Sequence, residues 1–99
     1  MIPVLVPESR VVATPDQLSS ELSGEVVILS LADSAYYGLD AVGAQIWRSL
    51  AQPRTVAELV TGVMNRYAVE HTQCERDVIA FLEELRAHQL IAIVEGDPA

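Results

Sequence analysis

The chain has 99 residues, 51% of them apolar and 20% charged, a balance that supports one globular core and excludes a disordered chain. Its formal charge of −8 is built from fourteen acids against six arginines and no lysine. That excludes the clustered basic surface a nucleic-acid backbone requires, and the single cysteine, Cys74, excludes a disulfide framework or a multi-cysteine metal site.

Residues 1–9 (MIPVLVPES) hold Pro3 and Pro7 and read as an extended arm. With no basic start and only a short apolar run, they do not resemble a signal peptide. No segment approaches the roughly 18 apolar residues of a membrane span, so no membrane contact is expected and the cytoplasm is the expected location. Residues 10–14 (RVVAT) are a short strand, ended at the Thr14-Pro15 step. Residues 15–24 are polar, with Ser19, Ser20, Ser23 and Gly24, and read as a loop or helical turn. Residues 25–31 (EVVILSL) form the strongest strand, apolar on both faces as a central strand requires. Ala32-Asp33-Ser34 supplies a turn, and residues 35–39 (AYYGL) follow as the third strand. Three strands joined in sequence make a meander, which places the third at an edge.

Asp40 opens a first helix running to about Ala51, with Val42, Ile46, Trp47 and Leu50 on one face. Gln52-Pro53-Arg54 breaks it. Thr55-x-x-Glu58 is a capping box, in which each side chain satisfies the other residue's free backbone N–H. It opens a second helix that buries Val56, Leu59, Val60, Val63, Met64 and Tyr67. Thr72-x-x-Glu75 reads as another box, before a third helix with Val78, Phe81, Leu82 and Leu85 in one stripe. Residues 90–95 (LIAIVE) are a last short strand. Glu58 and Glu75 in first turns, and Arg48, Arg66 and Arg86 near helix ends, have the signs that the helix dipole favours. The expected class is α+β and winged-helix-like: a three-stranded antiparallel sheet, then three helices and a short C-terminal strand, in one domain over residues 1–99.

Chemistry finds little footing in these residues. Cys74 sits near a helix start, where a thiolate can be activated, but His71 at i−3 is no evidence of a base in place, so a small half-buried cysteine is expected. His71 and His88 are too few and too isolated for a metal site and read as solvated surface residues. Glu83 and Glu84 are adjacent on a helix and point in different directions, which suits a solvated face better than acid–base work. No Gly-rich phosphate loop, G-x-S-x-G or H-E-x-x-H is present. Neither catalysis nor a cofactor is expected. The helices and final strand resemble a winged helix-turn-helix, but the would-be recognition helix carries Glu75, Asp77, Glu83 and Glu84 against Arg76 and Arg86, and phosphates would repel it.

What remains is the sheet edge at residues 35–39, which lacks lysine and proline and contains Gly38. Such an edge is a template for an incoming strand, and the glycine admits a second backbone closely. Equally, the glycine could mark a bulge, with the N-terminal arm covering the edge.

The residues Tyr37-Gly38-Leu39-Asp40-x-x-Gly43-x-x-Ile46-Trp47-x-x-Leu50 resemble the signature of the PqqD-like family, small leader-peptide-binding domains also called RiPP recognition elements. Thr55-Val56-x-Glu58-Leu59, Tyr67 and Asp77-Val78-x-x-Phe81-Leu82-x-x-Leu85 extend the match over about residues 10–94. His88-Gln89-Leu90 departs from it, since the family often has a glycine before the last strand. The resemblance implies a precursor's leader peptide added as a fourth strand, in a cleft joining Tyr36, Tyr37, Gly38 and Leu39 to Asp77, Val78, Phe81 and Leu85. It implies an adapter without catalytic residues, most like the leader-binding half of a split lasso-peptide protease whose partner is a separate cysteine-protease-type leader peptidase. The alternative it leaves open is a PqqD-type chaperone serving a radical SAM enzyme.

Overall fold

In a computed structural model, which describes residues 5–15, 17–23 and 25–94, the first strand is β1 (Arg10–Ala13). The next is β2 (Gln17–Leu22), where the sequence suggests a loop or helical turn. Its residues 19–21 (SSE) have low strand propensity. The strand forms because it pairs along its whole length with β3 (Glu25–Ser30), from Gln17 opposite Ser30 to Leu22 opposite Glu25. Tertiary pairing here overrides local preference. β4 (Tyr36–Leu39) pairs on the other side of β3, so the meander is β2-β3-β4 and its last strand lies at an edge.

β1 therefore is not the first strand of that meander. It is the centre of a second three-stranded sheet, between β5 (Arg54–Thr55) and β6 (Ile91–Ile93). The two-residue β5 has no periodicity from which sequence could have found it. α1 (Ala41–Ser49) packs on β3, β4 and α2 (Val56–Arg66), α2 packs on β5 and α3 (His71–Ala87), and α3 packs on β6. Ile28, Leu50, Val56, Leu82 and Leu90 are completely or almost completely buried at the centre.

The helix starts show which sequence signals were local enough to read. The Asp40 carboxylate accepts the Gly43 N–H at 2.8 Å, and Thr55 and Glu58 form their reciprocal box at 3.0 and 2.8 Å. α1 stops at Ser49, slightly short of Ala51. α3 starts earlier than its Thr72 suggests, because Glu70 is the cap, accepting the N–H groups of Thr72 and Gln73 at 3.1 and 3.0 Å. Those donors hold its carboxyl below the usual range. Glu75 consequently lies beyond the first turn, and Glu70 takes the role at the helix dipole that Glu75 was expected to fill.

At its other end α3 closes with Gln89 at φ 62°. The Leu90 N–H donates to the Leu85 carbonyl at 2.9 Å and the Gln89 N–H to the Arg86 carbonyl at 3.0 Å, a Schellman closure with a side chain where glycine is cheapest. Gln89→Gly should relieve the left-handed strain, less the entropy glycine loses on folding, for a gain of about 0.5–1 kcal/mol. A thermal melt should show a rise of about 4 °C; an unchanged or lower midpoint would mean the turn is not strained.

Candidate functional site

Among the described residues β4 is hydrogen-bonded on one side only. The Ser30 N–H donates to the Ala35 carbonyl at 2.9 Å, and the register sets Ile28 opposite Tyr37 and Val26 opposite Leu39. In an antiparallel ladder this makes Tyr37 and Leu39 the residues bonded to β3 and turns the N–H and C=O groups of Tyr36 and Gly38 to the open edge. The one-to-one pairing, with Val27 opposite Gly38, contains no bulge. A Cβ added at Gly38 would meet nothing within 4 Å. Nor does the described part of the arm cover this edge: its Pro7 and Ser9 carbonyls accept the N–H groups of Ala57 and Val56 at the start of α2.

Side chains alternate along β4. Leu39 points into the core and Tyr37 lies half-buried beside it, whereas Tyr36 is 72% exposed on the other face. Beyond Leu39 the chain turns into α1, which crosses close to α3 at Gly43. A Cβ there would stand 3.3 Å from the Phe81 ring and 3.3 Å from the Asp40 carboxylate, so glycine sets the approach of the two helices. Below this crossing opens a cavity of about 370 Å³ between α1, the end of α2 and the first half of α3. Val42, Ile46, Val63, Val78 and Phe81 give it an apolar lining, and Asp40 and Asp77 give it an acidic rim. Gln73 holds the Asp77 carboxylate from the neighbouring turn at 2.9 Å.

At the other end of α3 a polar cluster joins the sheet to the helix. The Tyr37 hydroxyl donates to Asp33 Oδ2 at 2.9 Å and lies 2.7 Å from His88 Nδ1, which is itself 3.3 Å from Asp33 Oδ2. The rings of Tyr37 and His88 are stacked at a tilt, 4.5 Å between centroids. Asp33 also accepts the Ala35 N–H, closing the turn before β4. The Tyr37 hydroxyl holds the Asp33 carboxyl below its usual range, and burial followed by the Asp33 carboxylate pushes the phenol up. His88 is thus half-buried and hydrogen-bonded, not the solvated residue its isolation in sequence suggested.

The profile of coenzyme PQQ synthesis protein D (PqqD) matches residues 25–91, from β3 to the start of β6. The chain belongs to the PqqD family. A solved structure of TbiB1 in complex with the TbiA(beta) leader peptide is 32% identical, covers 86% of this PqqD-family chain and 99% of its own, and superposes with a TM-score of 0.77. A lasso peptide synthetase B1 complexed with the leader peptide is 22% identical, covering 83% and 96% with a TM-score of 0.73, and shares the fold. Among curated proteins no significant match is found.

In this PqqD-family fold the residues expected to bind peptide divide into three groups. Asp77, Val78 and Phe81 line the cavity. Tyr36 and Gly38 present the open backbone edge, while Tyr37 and Leu39 anchor it. Leu85 is buried in the core, 3% exposed, and supports the wall from behind. Sequence reasoning overlooked Val42 and Tyr67 as lining residues because each had already been assigned to a core face. Cys74, expected half-buried, is 4% exposed with its Sγ 3.9 Å from the Val60 carbonyl, and burial followed by Asp77 pushes its thiol up, away from nucleophilic use. Among the described residues, no three His, Cys, Asp or Glu are grouped to hold a metal ion, and no helix is long and apolar enough to cross a membrane.

Proposed function

We propose that this chain is a non-catalytic adapter that binds the leader peptide of a ribosomally made precursor, of the lasso type, and delivers it to a separate leader peptidase. The observation that carries the reading is the open edge of β4, followed directly by Asp40 at the mouth of an apolar cavity between the helices, in a fold shared with TbiB1, whose solved structure holds a leader peptide. Tyr36 and Gly38 offer two backbone donors and two acceptors to an added strand. Side chains of that strand would alternate between solvent and the cleft, where the lining favours an apolar group and the Asp40–Asp77 rim a neighbouring basic one. An adapter supplies local concentration and no bond-making step.

The test is reconstitution with the peptidase. The peptidase alone should process full-length precursor poorly, and this chain added in trans should restore cleavage mainly by lowering the apparent KM. Equal cleavage with and without it, or hydrolysis by this chain alone, would defeat the proposal. The PqqD profile itself favours one second reading, a peptide chaperone for a radical SAM enzyme. Stable capture of such an enzyme, with none of the peptidase, would decide for that reading.

A further inference from the structure

We infer that Asp33, Tyr37 and His88 form a latch that holds the edge strand at a fixed distance from α3, making Tyr37 and His88 positioning residues for leader binding. This rests on the function proposed above and concerns how the same cleft is kept ready. The backbone of β4 packs mainly on β3 and α1. Contacts by side chains must therefore set the width of the gap an added strand would enter. At one end the Phe81 ring lies against Gly43. At the other, the Tyr37–His88 pair adds a polar bridge to the packing of Tyr37 against the core.

The chemistry of the three groups fixes the proton positions. A carboxylate only accepts, so the single phenolic proton goes to Asp33. The phenol oxygen, 2.7 Å from Nδ1, then accepts from the imidazole, so His88 carries its hydrogen on Nδ1. In that arrangement the phenol, Nδ1 and both Asp33 oxygens are hydrogen-bonded, and the Asp33 carboxylate, the turn before β4, and the cap of α3 form one unit. Glu84, one turn before His88, adds its negative charge towards the phenol and disfavours loss of that proton. His88 stands where the strained turn into β6 begins, so the device links the C-terminal end of α3 to the edge that would receive the peptide.

The test uses the full chain and variants Tyr37→Phe, His88→Ala and His88→Asn. The probes are fluorescein-labelled leader peptides, that of this chain's own precursor and TbiA(beta). Losing one or two preorganising hydrogen bonds should weaken binding roughly five- to tenfold in Tyr37→Phe and His88→Ala. His88→Asn, whose amide N–H can replace Nδ1–H, should recover most of that affinity. Imidazole 15N shifts of the free wild type should report the Nδ1–H form and should change in Tyr37→Phe, which a purely steric role would not require. Circular dichroism keeps the comparison to folded variants; should Tyr37→Phe unfold, the His88 pair decides. Wild-type affinity in both folded His88 variants, with binding still weakened in Gly38→Pro, would overturn the latch alone. Failure of both leaders to bind wild type would overturn the proposed function, and the latch with it.

Discussion

Proline placed along β4 should sort into two classes by parity. At Leu39 it removes an N–H directed at β3 and leaves the Val26 carbonyl without its ladder partner. Leu39→Pro should therefore be less stable than Leu39→Ala by about 1–3 kcal/mol, beyond the packing that both variants lose. Tyr37→Pro should behave alike through the carbonyl of Ile28. At Tyr36 and Gly38 proline removes an N–H that points to the open edge, so the fold should survive with a small loss from the fixed φ. A leader adding to that edge should then lose a backbone bond, and its affinity should fall roughly threefold to tenfold, more if the ring clashes. Melting curves and anisotropy titrations read the two classes separately. Folded Tyr36→Pro and Gly38→Pro proteins that bind as tightly as wild type would mean that peptide does not dock here.

The second large effect distinguishes two neighbours on α3. Leu82 is 0% exposed and faces the core, so Leu82→Ala should cost about 2–5 kcal/mol, because the surrounding structure collapses only partly into the space left. Phe81 is half-buried and lines the cavity against Gly43. Phe81→Ala should cost less stability and weaken leader binding by about tenfold, the loss of a single aromatic anchor. Denaturant midpoints and titrations on both variants check the contrast. A Phe81→Ala protein with unchanged affinity would remove the cavity from the site.

What could be read in advance follows the range of the interactions involved. The caps at Asp40 and Thr55 are satisfied within three residues, and β3 declares itself through apolar residues on both faces. β2 was illegible because residues 19–21 (SSE) form a strand only beside β3, and β5 because two residues carry no period. Glu70 shows the limit of motif reading: a Thr-x-x-Glu pattern at Thr72 was outcompeted by a carboxylate two residues earlier. In the candidate site, the edge and the α3 stripe were readable from alternation and helical spacing. The Asp33–Tyr37–His88 cluster was not, since 51 residues separate Tyr37 from His88 and nothing in sequence announces their meeting.

The bare edge of β4 also bears on how the protein behaves at high concentration. Many sheet proteins protect such an edge locally, with a lysine, a proline or a bulge, and β4 has none of them. A net charge of −8 on 99 residues supplies a global safeguard instead, an average repulsion between approaching copies. That repulsion is long-ranged in dilute buffer and short-ranged in salt, where the screening length contracts to a few ångströms. Colloidal stability is thereby tied to ionic strength, and an occupied edge removes the dependence, since the bound strand covers the groups through which copies would stack.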